Sequence, residues 1–265
     1  MDFVTFSKEI RRNTLRCLHS QGSGHVGGSL SIVDVLAVLY GKHMDVDPSS
    51  PKKEDRDKLV LSKGHAGPAL YATLALKGFF PVEWLDTLNK LGTRLPSHVN
   101  INLTPGVDMT AGSLGQGLSC ACGLALANKV KGSDKFVYVI TGDGELQEGQ
   151  NWEGAMFAAH KHLNIIVLVD SNKLQIDGAT KDVMNIEDIQ AKFAAFGFET
   201  QRVDGHNHEA LDKAITQAKL HKGPQCIVMD TVKGKGISFY EAMGAGVHST
   251  NVTDEQYANA LAELQ

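Results

Sequence analysis

Three continuous apolar runs constrain this chain most: Phe136–Thr141 (FVYVIT), Asn164–Asp170 (NIIVLVD) and Gln225–Thr231 (QCIVMDT). Each has the length of a strand. None alternates apolar with polar residues, so each must be covered on both faces. Helical stretches separate them, at Trp152–Lys161 and Ala210–Leu220, and Phe198–Val203 reads as a further strand. Strands alternating with helices predict an α/β fold: a mostly parallel sheet with helices on both faces, in one domain over residues 1–265. Upstream, the pattern predicts a helix over Phe3–Leu18, a glycine-rich loop over Gln21–Gly28 and a helix over Val33–Tyr40. A polar loop over Lys42–Lys58, a strand over Lys58–Ser62 and helices over Leu70–Leu76 and Phe80–Asn89 follow. Gly92–Gly106 has no period and reads as loop. Leu118–Val130 reads as a helix of small residues, which demands a close neighbour, and Asp254–Leu264 as the last helix.

Charge narrows the function. Lys and Arg number 26 against 30 Asp and Glu, a net −4, which argues against a nucleic-acid binder working by phosphate neutralisation. No apolar run reaches the roughly 18 residues of a membrane helix, and the amphipathic start lacks a signal core, so no membrane and a cytoplasmic location are expected. Cys17, Cys120, Cys122 and Cys226 are scattered, without a zinc spacing, and read as reduced thiols. Eleven histidines, several beside glycines, call for an explanation.

In such sheets ligands bind outside the carboxyl ends of the strands. Two predicted strand ends carry polar groups: Thr141-Gly142-Asp143-Gly144-Glu145 and Asp170-Ser171-Asn172. Glycines at the first permit a tight turn and close backbone approach. Asn172 lies 29 residues beyond Asp143, the interval of one strand–helix–strand unit. A carboxylate, an amide oxygen and a nearby carbonyl are hard oxygen ligands that suit Mg²⁺ or Ca²⁺ and leave positions for phosphate oxygens. The site therefore reads as a clamp for a metal-bound diphosphate. The competing reading, in which Asp143 and Asn172 merely close turns, would suffice for Gly-Asp-Gly alone.

This constellation resembles the thiamine-diphosphate motif, Gly-Asp-Gly followed by Asn about thirty residues on. Further segments resemble transketolases in order: Ser23-Gly24-His25 with Gly27-Gly28, Leu61-Ser62-Lys63-Gly64-His65-Ala66, Gly112-Ser113-Leu114-Gly115-Gln116-Gly117, Leu146-Gln147-Glu148-Gly149 and Asp170-Ser171-Asn172-Lys173-Leu174-Gln175-Ile176-Asp177-Gly178. The resemblance spans about Phe6 to His248 and covers the N-terminal, diphosphate-binding domain. It implies that Asp143, Asn172 and the Leu174 carbonyl bind Mg²⁺. It implies that Gly112, Ser113, Leu114, Gly142, Gly144, Glu145 and Ile176 line the cofactor, with His65 and His248. His25, His65, His98 and His248 resemble the histidines around the reacting carbon and the sugar hydroxyls, where imidazoles that titrate near neutrality can move protons. A packing role competes for each of them. Val26 stands where the family usually has proline, and Gly246-Val247-His248-Ser249 departs from the usual His-Gly. Glu148 and Glu153 resemble interface glutamates that connect two active sites; a favourable charge at a helix N-terminus competes. Lys233-Gly234-Lys235-Gly236 lacks the Walker A spacing and gets no independent nucleotide site.

The pyrimidine-binding and C-terminal domains of a transketolase have no counterpart in the sequence and are expected on a partner chain. The resemblance thus implies one subunit of a split transketolase, an α2β2 heterotetramer with sugar-phosphate substrates. Alternatives are a 1-deoxyxylulose-phosphate synthase-like or 2-oxo-acid dehydrogenase α-like subunit, or a non-enzymatic protein retaining the fold. His25 and His65 argue against the dehydrogenase, and intact Asp143 and Asn172 against the binding protein.

Overall fold

A computed structural model describes residues 1–265. Its centre is a five-stranded, wholly parallel sheet of β1 (Lys58–Leu61), β2 (Val137–Gly142), β3 (Ile165–Ser171), β4 (Glu199–Asp204) and β5 (Gln225–Asp230), in the order β1-β2-β3-β5-β4. Strand periodicity splits the apolar runs between two cores. Tyr138, Ile140, Ile166, Leu168, Ile227 and Met229 enter the larger one. Their neighbours Val137, Val139, Ile165, Val167, Val169, Cys226 and Val228 enter the other. Both faces are apolar, which is why these runs do not alternate.

The larger core is covered by α1 (Phe3–Gln21), α2 (Val26–Leu30), α3 (Val33–Val38), α4 (Gly67–Leu76) and, beyond β4, α8 (His208–Leu220). The other face carries α5 (Gln116–Val130), α6 (Gly149–His160) and α7 (Ile189–Ala195), and a last helix, α9 (Asp254–Glu263), packs on α1. Local chemistry sets the ends. Asp2 accepts from the Thr5 N–H at 2.8 Å to start α1, and Gly22 at φ 86° stops it. Thr253 and Gln256 form a capping box at α9. As the small residues of α5 demand, a Cβ on Gly117 would collide with Ser62 at the end of β1.

Four features depart from the sequence expectation. The predicted loop Gln21–Gly28 contains an extended pair, Ser23–Gly24, bonded antiparallel to Thr250–Asn251, and then α2. Glycine disfavours helix, but a Cβ on Gly27 would come within 2.6 Å of Val247 and 2.7 Å of Lys233, so close packing overrides propensity. A small hairpin, Leu174–Gln175 with Gly178–Ala179, follows β3. α7 had no predicted counterpart. The expected helix over Phe80–Asn89 is a 3₁₀ segment, Val82–Thr87. No helix is long and apolar enough to cross a membrane.

Candidate active site

The carboxyl ends of β1, β2, β3 and β5 open into one cavity of about 400 Å³. β2 runs into Gly142-Asp143-Gly144, β3 into Asp170-Ser171-Asn172, β1 into Ser62-Lys63-Gly64-His65, and β5 leads to Lys233. This is the edge at which open parallel sheets bind ligands, and the volume lies in the range of small-molecule sites, about 300–1,000 Å³.

Asp143 is 3 % exposed and accepts only backbone N–H groups, from Gly144 at 2.8 Å and Lys173 at 2.6 Å. Burial, and then the nearby Asp170 charge, push its carboxyl up to about 6. A buried carboxylate with no cation of its own fits a cation site. Asn172 stands beside it, its amide nitrogen on Asp170 at 3.1 Å and its oxygen accepting from the Leu174 N–H at 3.0 Å. Asp143, Asn172 and Leu174 line the same cavity, and a carboxylate, an amide oxygen and a backbone carbonyl are hard oxygen donors that could hold Mg²⁺ or Ca²⁺.

Four imidazoles gather at the same cavity. The His25 ring centre lies 5.2 Å from His65, 5.7 Å from His98 and 5.4 Å from His248, and His65 lies 5.2 Å from His248. They come from the loop before α2, the loop after β1, the segment before α5 and the segment before α9. All four are held below the ordinary histidine value. Burial is the main cause in each case. His98 and lysine charges add to it for His25, Lys63 adds for His65, and Lys233 takes His248 down to about 4. The rings are therefore neutral at physiological pH and able to accept protons.

Gly112, Leu114, Gly142, Gly144, Glu145, Glu148, Leu174 and Ile176 also line the cavity. Leu114 and Ile176 are 39 % and 66 % exposed and form an apolar wall on its open side. Ser113, expected at the cofactor, is not among the lining residues, and Glu153 sits exposed on α6, away from the cavity. The Glu145 carboxylate, also expected at the cofactor, is taken up by protein donors: the Ser62 hydroxyl and the Gly115 and Gly142 N–H groups.

Two lysines face the site: Lys63, to which the sequence reading gives no role, and Lys233, whose Lys-Gly-Lys-Gly segment it gives no independent nucleotide site. Lys63, 1 % exposed, donates to the Gly28 carbonyl at 2.9 Å and pairs with Asp170. Lys233 lies 2.9 Å from His248 Nδ1 and 3.4 Å from the Leu174 carbonyl, and burial, then Lys63, bring its ammonium down to about 8. Their signal was the placement of Lys63 in Ser-Lys-Gly-His and of Lys233 in Lys-Gly-Lys-Gly. Both motifs point at the same cavity, so Lys233 belongs to this site and not to a second one.

A cavity bearing two lysines and the buried Asp143 carboxylate, at the carboxyl edge of a doubly covered parallel sheet, fits an α/β domain that binds the diphosphate of a cofactor. Residues 5–264 match the family described as transketolase, thiamine diphosphate binding domain. The chain is 51 % identical over 258 residues to a 6-deoxy-6-sulfo-D-fructose transketolase subunit of a Clostridium species (strain MSTE9), covering 97 % of this chain and 94 % of that one. It is 37 % identical over 260 residues to an apulose-4-phosphate transketolase subunit of Phocaeicola vulgatus, covering 97 % and 92 %. Among solved structures, the transketolase of Leishmania mexicana superposes with a TM-score of 0.93 at 33 % identity, covering all of this chain and 41 % of that one. The chain therefore belongs to the transketolase family and corresponds to its N-terminal, thiamine-diphosphate-binding subunit. It spans about two fifths of the length of that solved transketolase.

Proposed function

We propose that this chain, together with a partner subunit carrying the pyrimidine-binding domain, transfers a two-carbon ketol unit from a ketose to an aldose phosphate. The observation that carries this reading is the convergence of four imidazoles on a cavity that Asp143 and Asn172 also line. Moving a ketol unit requires protons to leave and return to sugar hydroxyls, and positioned imidazoles do this. Thiamine diphosphate supplies, when bound, the ring that takes up the electron pair of the broken carbon–carbon bond.

In this reading Asp143, Asn172 and the Leu174 carbonyl hold Mg²⁺ (or Ca²⁺). Lys63 and Lys233 face the diphosphate charge. Gly112, Gly142 and Gly144 let backbone approach closely, with Ser113 beside them, and Leu114 and Ile176 pack against the cofactor. His25, His65, His98 and His248 bind and exchange protons with the sugar. Glu148, at the rim of the cavity, and Glu153, exposed on α6, lie against neighbouring subunits in an α2β2 assembly. The relatives named as subunits match this chain nearly end to end, which supports a partner on a second chain. The 51 % identical relative makes a sulfonated ketose, 6-deoxy-6-sulfo-D-fructose, the first donor to test beside ordinary ketose phosphates. Four free cysteines, three of them buried, fit a reducing cytoplasm.

The test is to co-purify the chain with its partner, load thiamine diphosphate and Mg²⁺, and follow ketol transfer from each donor to aldose phosphates. Turnover with one of them is expected. A fully loaded complex that transfers from none of these donors overturns the reading.

A further inference from the structure

Glu145 sits where four parts of the site meet. Its side chain is 3 % exposed, and its carboxylate accepts the Gly115 N–H at 2.9 Å on one oxygen and the Gly142 N–H at 3.0 Å on the other. The Ser62 hydroxyl joins the first of these oxygens. Its own backbone carbonyl accepts from Asn151 at 2.8 Å, at the start of α6. Ser62 ends β1, Gly142 ends β2, and Gly115 closes the turn that carries Gly112 and Leu114 into the cavity. Gly115 adopts φ +85°, and a Cβ there would come within 2.7 Å of Glu148. The turn is thus packed tightly on Glu148 at the start of α6, and its hydrogen-bonded link to the Gly142–Gly144 loop is this one carboxylate. A carboxylate suits the place because it can accept two N–H groups that point at it from opposite sides.

We infer that Glu145 is a positioning residue: it braces the Gly112–Gly115 turn against the Gly142–Gly144 loop and so holds the cofactor-facing backbone in its binding geometry before any ligand arrives. It acts through those backbones and does not itself touch the cofactor. The inference rests on the cofactor reading above for its functional consequence, but the brace has a signature of its own. Glu145→Ala removes all three bonds and leaves two N–H groups without their acceptor. Glu145→Gln keeps an oxygen for Gly115 and Ser62 and sets its NH₂ against the Gly142 N–H, so it loses one bond of the three.

Two measurements on the same samples test this. Amide hydrogen exchange of the chain without cofactor reads the brace directly. Exchange over residues 112–118, and at Gly142, should speed up in Glu145→Ala while β3 and the rest of β2 keep their protection. Calorimetric titration with thiamine diphosphate and Mg²⁺, with the partner subunit present, reads its consequence. The affinity should fall about tenfold or more, the size that one unsatisfied buried donor produces, with Glu145→Gln between Ala and wild type. Unchanged exchange over 112–118 overturns the brace. So does exchange that rises evenly through the domain while the affinity of the folded protein stays the same, which is the pattern of a merely structural residue. If the wild-type complex itself takes up no thiamine diphosphate, the cofactor reading fails, and the exchange arm still decides whether Glu145 orders the turn.

Discussion

His25 and His65 show how a single side chain can be assigned a task by its surroundings. Each is neutral because burial, neighbouring imidazoles and the Lys63 and Lys233 charges oppose protonation. Replacing either by Ala should lower kcat/KM by about 10²–10⁴-fold, the usual worth of one positioned acid–base group. The complex should still assemble and bind cofactor. Melting temperature and kinetics on the same samples separate this from packing: a variant that melts earlier but turns over normally when folded removes the catalytic role. The direction of the shifts also sets the pH profile. A depressed imidazole pKa keeps the base form as pH falls through the ordinary histidine value of about 6.5, so the acid limb of kcat/KM should lie below that value. An acid limb above it would show that these rings are not the groups that titrate. On the proposed reading, Asp143 and Asn172 serve binding and not proton transfer. Asp143→Asn or Asn172→Ala should abolish calorimetric thiamine-diphosphate binding in the presence of Mg²⁺ while the circular dichroism of the domain is retained. Unchanged affinity in either variant sinks the metal assignment.

At the scale of elements, the buried Asp34 joins α3 to α1 and to the start of α8. Arg11 of α1 bonds both its oxygens, and His206 Nδ1 and His208 Nε2 add contacts at 2.7 and 3.0 Å. Burial alone would raise the Asp34 carboxyl; the histidine bonds and the Arg11 guanidinium outweigh it and hold the pKa far below the usual range. A depressed carboxylate contributes stability above its unfolded pKa and loses it as pH falls towards its folded one. Asp34→Asn should therefore cost about 3–5 kcal/mol at pH 7, the price of leaving a buried guanidinium uncompensated. The gap to wild type should narrow by about 1.4 kcal/mol per pH unit below roughly pH 4, as read by urea melts; a gap that does not depend on pH there would place the cost in packing. This network was invisible in the sequence, where His206 and His208 carried no expectation, because the partners of Asp34 lie 23 to 174 residues from it. What could be read was what repeats locally: the apolar strands and the helix periods between them. α2 could not be read, because its glycines answer to Val247 and Lys233 across the fold. α7 offers only Ile189 and Phe193 to a periodic reading. In the site, Gly-Asp-Gly and Asn carry a spacing, so Asp143 and Asn172 were legible from residues alone. The histidines were found by resemblance, since nothing local says that four separate loops meet.

At the scale of the whole molecule, this fold corresponds to part of a full-length transketolase. Leu114 and Ile176 line the cavity and are left open to solvent. The same fold occupies 41 % of the solved Leishmania mexicana transketolase, whereas the relatives named as subunits match this chain over more than nine tenths of their length. On the proposed reading, the groups that grip the far side of the cofactor and the sugar come from another polypeptide. The chain purified alone should show no ketol transfer at any protein concentration, even with saturating thiamine diphosphate and Mg²⁺. Activity should appear on titrating in the partner and saturate at a fixed stoichiometry, one to one if the assembly is α2β2. Sedimentation of the saturated mixture gives the stoichiometry independently of turnover. Dilution supplies the sharpest check: a site shared between chains loses specific activity as the complex dissociates, while a site complete within one chain does not. Robust, concentration-independent turnover by the rigorously purified single chain would show that the whole site lies within these 265 residues, and the shared-site reading would fall.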